Sequence, residues 1–141
     1  MIKDDLSLKG KLTIAVNGQT VREVPNLVVT AGKEFVASRM AGVSSNEMSH
    51  MAIGTDNTSP AAGNTALGSE AARVSLTSTT VTNADVVYVA SFGAGTGTGS
   101  IVEAGLFNAS SGGDMLCRTT FAVVNKQVDD SITITWTVTV S

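Results

Sequence analysis

Ser131-Ile-Thr-Ile-Thr-Trp-Thr-Val-Thr-Val-Ser141 alternates strictly between apolar and hydroxyl-bearing side chains. Successive side chains of an extended chain point to opposite faces. Ile132, Ile134, Trp136, Val138 and Val140 therefore share one face, and Thr133, Thr135, Thr137 and Thr139 share the other. Between the flanking serines every residue is β-branched or aromatic, so strand propensity agrees with the alternation. The run predicts a half-buried strand, with Trp136, the chain's single tryptophan, as core anchor between Ile134 and Val138. The threonine row is left for solvent or for a partner.

Just upstream, residues 101–107 (Ile-Val-Glu-Ala-Gly-Leu-Phe) and 115–122 (Met-Leu-Cys-Arg-Thr-Thr-Phe-Ala) read as strands on either side of a turn whose Gly112 and Gly113 supply positive φ. With the final strand they are expected to form a C-terminal meander, and Phe107 and Phe121 join Trp136 as core anchors. Glu103 sits inside an apolar run, where a carboxylate needs a cationic partner; Arg73 and Arg118 are the two choices.

Towards the N-terminus, residues 12–16 alternate, Asn17-Gly18 is a strong hairpin signal, and 21–24 read as the returning strand, stopped by Pro25. Residues 1–11 are expected to be an N-terminal arm. Thr30 as N-cap, Glu34 in the first turn, an apolar stripe of Val36, Ala37, Met40 and Ala41, and Gly42 as a stop predict one short helix. Residues 48–53 form a short strand and 54–69 a long Gly-, Ala-, Ser- and Thr-rich surface loop. Residues 73–82 and 86–92 are two further strands around a turn at 83–85. The expected fold is all-β: a single domain over residues 1–141, an antiparallel two-sheet β-sandwich, jelly-roll-like, of about eight strands with one short helix.

Only 15% of the residues are charged, below the roughly 25% usual in soluble domains, so something other than charge must cover part of the surface. The nine basic residues are scattered and the net charge is −3, which does not favour nucleic acid as a partner. No secretory signal or membrane segment is recognised: the uncharged run 86–102 is short and interrupted by alternating glycines. Cys117 is the one cysteine, so the fold cannot rest on an internal disulfide.

Residues 93–99, Gly-Ala-Gly-Thr-Gly-Thr-Gly, lack the Lys-Ser/Thr of a P-loop and the spacing of a dinucleotide site, and they lead into a strand rather than a helix. His50 is the only histidine, and no acidic residues stand at metal-ligand spacing around it. Cys117 reads as a packed thiol and Asp129-Asp130 as a solvated turn. No catalytic constellation, cofactor or small-molecule substrate emerges.

Two segments are familiar together. Met51-Ala-Ile-Gly-Thr-Asp-Asn-Thr-Ser-Pro-Ala-Ala-Gly-Asn-Thr-Ala-Leu67 with Glu70 and Arg73, and Glu103-Ala-Gly-Leu-Phe-Asn-Ala109 with Met115-Leu-Cys-Arg118, Val124-Asn-Lys126 and Ile132-Thr-Ile-Thr-Trp136, resemble structural proteins of tailed bacteriophages. Such modules occur as short capsid cement, or decoration, proteins and as domains of tail-fibre and baseplate proteins. The first strand follows closely on Met1, the last reaches Ser141, and no repeat is found, so the resemblance implies a cement protein first. It implies a protein made in the host cytoplasm and carried on the outer surface of the virion. Its partners there are the major capsid protein and itself, as a homo-oligomer, a dimer before a trimer, with Thr133, Thr135, Thr137 and Thr139 as contact residues. A tail-fibre or baseplate adaptor is the alternative. A carbohydrate-binding β-sandwich comes third, because a single Trp and a single Tyr offer little aromatic surface for sugar rings.

Overall fold

The structure is a computed structural model that describes residues 6–43 and 46–141. Its elements run β1 (Leu8–Val16), β2 (Gln19–Val28), α1 (Thr30–Met40), β3 (His50–Gly54), β4 (Glu70–Ser75), β5 (Ser78–Thr82), β6 (Asp85–Phe92), β7 (Gly99–Phe107), β8 (Met115–Lys126) and β9 (Ile132–Val140). The chain is all-β with one short helix, and every ladder among the described residues is antiparallel.

The strands form one nine-stranded sheet in the order β4-β3-β7-β8-β2-β1-β9-β6-β5, curled into a half-barrel, where two separate sheets of about eight strands were expected. The strand that joins the halves is β2. Its residues 19–26 pair with β1, and Leu27 and Val28 then pair with Arg118 and Cys117 of β8. Pro25 therefore does not stop the strand. It stands opposite Lys11, where β2 has not yet begun its ladder to β8, so its missing N–H costs no bond on that side.

The additional strand comes from residues 73–82, which are two strands and not one. Leu76 still donates to Ser49 O beside β3, whereas Thr77 donates to Val89 O of β6, so the chain changes sheet end between neighbouring residues. As a result β4 and β5, adjacent in sequence, are the two ends of the sheet. The C-terminal meander is also broken: β7 pairs with β8, but β9 crosses over to lie between β1 and β6.

The first hairpin turns on Asn17 (φ 50) and Gly18 (φ 84), the positive pair that a two-residue type I′ turn needs. Residues 8–11 of the expected arm belong to β1, and residues 1–5 lie outside the described residues. In α1 the N-cap is Val29 and not Thr30, because Val29 is still extended and bonded to Leu116 O. Gly42, at φ +69, closes the helix with Gly42 N–H on Arg39 O and Val43 N–H on Ser38 O, the paired bonds of a Schellman stop. The helix docks through Gly32, Phe35 and Val36; Ala37 and Met40 of the expected stripe are exposed.

Trp136 is fully buried, opposite Leu12 of β1 and Tyr88 of β6, with Ile134 and Val138 on the same face. Both halves of the sheet feed this one core: Leu12, Ile14, Phe92 and Trp136 come from one half, and Met51, Ile53, Ile101, Leu106 and Cys117 from the other. Burial pushes the Tyr88 hydroxyl up to about 12 and the Cys117 thiol well above its ordinary range. Trp136 Nε1 donates to Asn26 Oδ1 at 2.9 Å, which fixes the indole against β2. Phe121 packs partly buried against the main core, while Phe107 belongs to a second cluster with Val29, Ala52, Leu67 and Met115.

Candidate functional site

The curl gives each half of the sheet an outer face, and the two faces are finished in opposite ways. On the half made of β3, β4, β7 and β8, residues 55–69 fold over the outside. Glu103 is the anchor of that cover. It is fully buried on β7, where it accepts from the backbone N–H groups of Asp56 (3.0 Å), Gly68 (2.9 Å) and Ser69 (2.8 Å). From β8, Arg118 adds Nε at 3.1 Å and Nη2 at 3.0 Å to the same carboxylate. Arg118 Nη1 reaches further into the loop, to Thr58 O at 2.9 Å and Asn64 Oδ1 at 3.3 Å.

A buried ion pair is tolerable only when its remaining hydrogen-bonding capacity is filled, and this one is filled by loop backbone. Of the two arginines open to Glu103, Arg118 is its partner. Arg73 instead holds Glu70 at 2.7 Å and lies 3.7 Å over the Phe107 ring. Gly54 has to be a glycine because a Cβ there would meet Ser69 O and the Glu103 carboxylate. The N–H and hydroxyl of Thr58 hold the Asp56 carboxyl below its ordinary range, helped by Arg118 nearby. Both Glu103 oxygens are occupied by the chain itself, so the arrangement works as a clamp and leaves no face for a substrate.

A second buried cation was not legible in the sequence. Lys126, 1% exposed at the end of β8, donates to Gly93 O (2.8 Å) and Asp130 O (2.6 Å), tying the 93–98 loop to the turn before β9. That turn is fastened to the first hairpin by Asn17 Nδ2 on Asp130 Oδ1, and Gln127 N–H and Asn17 keep the Asp130 carboxyl below its ordinary range. His50 Nδ1 is 2.8 Å from the Ser49 hydroxyl, and no group of three or more metal-ligating side chains is found among the described residues. No described helix is long and apolar enough to cross a membrane.

No described segment covers the outer face of the other half in this way. The registers align Ser91, Thr133 and Ala15 in one rank across β6, β9 and β1; Val89, Thr135 and Thr13 in the next; then Val87, Thr137 and Lys11; and finally Asp85, Thr139 and Lys9. Ser78, Thr80 and Thr82 of β5 extend the last three ranks. The four threonines of β9 are half-buried by their neighbours, and their outer sides look away from the core. Hydroxyls and small apolar groups fill the middle of this face, and charge gathers at one end. There Lys11 meets Glu23 at 2.9 Å, Thr139 donates to Asp85, and a shallow depression of about 330 Å³ is lined by Lys9, Gly10, Lys11, Thr137 and Thr139. Where β1 and β9 meet α1, an apolar groove of about 580 Å³ opens between Leu6, Leu8, Val36, Met40 and Val140.

The face carries hydroxyls throughout, with Lys9, Lys11 and Asp85 confined to one end. Its ranks through Thr133 and Thr135 form a pleated, uncharged surface across β6, β9 and β1 that can be covered without stranding a buried charge. No protein-family model matches the chain, and no curated protein or solved structure is significantly similar to it.

Proposed function

We propose that this protein is a structural component of a tailed-phage particle, a cement protein that binds the outer surface of the head and bridges neighbouring major capsid proteins. The observation that carries the reading is the outer face of β5, β6, β9 and β1, left uncovered by every described segment, with Thr133, Thr135, Thr137 and Thr139 at its centre, on a chain whose other outer face is closed by residues 55–69. A finished core beside an unfinished surface suits a protein whose work is to lie against others. The motif resemblance of residues 51–67, 103–109, 115–118, 124–126 and 132–136 to phage structural proteins supports the same direction. In this reading the curled sheet works as a jelly-roll-like sandwich, since its two halves hold one core between them.

With few charges to clamp a partner, attachment rests on apolar burial, on backbone pairing and on many copies acting together as a symmetric oligomer. The test uses expanded heads that lack the protein. Purified protein is added, salt is raised from about 0.05 to 1 M, which shortens the screening length to about 3 Å, and the co-sedimenting protein is measured. Retention across the range, at many copies per head and with improved resistance of the heads to heat, is the expected result. Release at moderate salt overturns the apolar mode of attachment, and absence of binding to heads transfers the protein to the tail.

A further inference from the structure

The two ends of the curled sheet are not protected alike. An edge strand presents unpaired backbone groups, and folded proteins commonly guard it with charge. At one end, β4 carries Glu70 and Arg73, paired at 2.7 Å, and Arg73 also reaches Ala109 O and Gly112 O. At the other end β5 reads Ser78-Thr-Thr-Val-Thr82, with no charge, no proline and all five residues exposed. Among the described residues it makes no hydrogen bond beyond its ladder to β6. Val81 makes the case stronger. It stands in register with Val86 and Val138, on the core-facing side of the sheet, yet it is 69% exposed because β5 overhangs the core.

We infer that β5 is the pairing edge for a second copy of this chain, the two β5 strands running antiparallel about a two-fold axis through Thr80. The pairing places Thr80 opposite Thr80 and Thr79 opposite Val81, and it sets the two Val81 side chains diagonally on one face, covering what a single copy leaves bare. Self-pairing also puts each residue opposite an uncharged one, so no like charges meet, whereas a charged strand from another protein finds no counter-charge on β5. A five-residue ladder falls below the roughly 1,200 Å² of a standard interface, so the dimer is concentration-dependent and tightens when both copies sit on one lattice. A two-fold axis normal to the sheet turns both threonine faces the same way. The inference thus deepens the cement-protein reading, on which its purpose rests, by naming the surface that joins the copies.

The test is made on free protein, without heads, so that a missing dimer and a missing capsid attachment are distinct results. Cys117 is the only cysteine and is buried, which permits single-cysteine probes on exposed β5. Directly opposed residues have Cα atoms about 4.5–5.5 Å apart, within the reach of a disulfide. Under mild oxidation, Thr80→Cys is expected to give a covalent dimer at least about tenfold faster than Thr82→Cys, whose own copy lies ~14 Å away along the strand. Sedimentation velocity of the unmodified chain should show dimer rising with concentration, and Thr80→Lys, which sets two ammonium groups face to face, should return it to monomer with an unchanged circular dichroism spectrum. Equal cross-linking at the two positions overturns the register. A strictly monomeric chain at millimolar concentration, or a Thr80→Lys variant that dimerises as before, overturns the proposal.

Discussion

The outer face over β7 and β8 and the outer face over β9 belong to the same sheet, yet one is sealed and the other open. Over β7 and β8 the chain spends fifteen residues, 55–69, and a buried Glu103–Arg118 pair to close the surface with its own backbone. Over β9 no described segment lies, and threonine hydroxyls and small apolar groups meet the outside directly. The inner faces of both halves share one apolar core, so the difference does not reflect a deficit of packing. Among the described residues, one outer face is closed by the chain's own backbone and the other presents its side chains directly.

The largest effect should come from breaking the sealed side. Glu103→Ala leaves the Arg118 guanidinium buried without its carboxylate and orphans three loop N–H groups, so a loss of about 5 kcal/mol is expected, the upper end for breaking a buried pair. Chemical denaturation measures it, and hydrogen exchange should show residues 55–69 losing protection before the core does. If that variant keeps both its stability and its loop protection, the loop is not a seal and the contrast between the faces is lost.

Next is the core that the halves share. Trp136→Ala removes the largest buried side chain and its bond to Asn26, and should cost about 4 kcal/mol. In contrast to Glu103→Ala, it should lower the protection of β1, β6 and β9 together with that of β3 and β7, because both halves pack on one cluster. Confinement of the loss to β1, β6 and β9 would mean that the halves have separate cores.

A smaller effect concerns acid. Asp56 and Asp130 both titrate below the ordinary 3.8 because Thr58, and Gln127 with Asn17, hydrogen-bond their charged forms. Groups with a depressed folded-state pKa stabilise the fold above their unfolded value, and that contribution disappears as pH falls through the folded value. Stability should therefore decline as pH drops below about 3.8. Asp56→Asn should flatten part of that decline and Asp130→Asn another part, which thermal melts across pH 2–5 can measure; an unchanged slope in both variants removes these carboxylates from the account.

The sequence carried what depends on period and local chemistry. Alternation at 132–140, the Asn17-Gly18 turn and the Gly42 stop are all local signals, and each sits where its chemistry requires. What could not be read depends on distant partners. No glycine or proline marks Leu76-Thr77, so the break between β4 and β5 is invisible until Ser49 and Val89 are seen to claim neighbouring residues. β9 pairs with β1, more than a hundred positions away, and nothing in its own residues distinguishes that partner from β8. Glu103 announced itself as a carboxylate in an apolar run, but the loop half of its shell is backbone N–H, which every residue type except proline supplies. Lys126 gave no signal, since its acceptors are carbonyl oxygens.

The smallest change in stability is expected on the open face, and it tests the contrast most directly. Thr135 sits between Thr13 and Val89 at the middle of the uncharged ranks, half-buried, with the buried Ile134 and Trp136 pointing the other way. Thr135→Ala removes one methyl and one hydroxyl from a face that no described segment covers, so it should cost under about 1 kcal/mol. Thr135→Lys keeps a flexible side chain that can extend into water, and it too should leave the fold standing. Against a partner the two variants separate: an ammonium placed in the middle of a dry contact is buried without a counter-charge, whereas alanine is not. Retention on heads should therefore survive Thr135→Ala and fail for Thr135→Lys, while both variants melt close to the parent. A lysine variant that still binds would move the contact to another surface, such as the groove beside Met40. A lysine variant that unfolds would mean that the open face was never open.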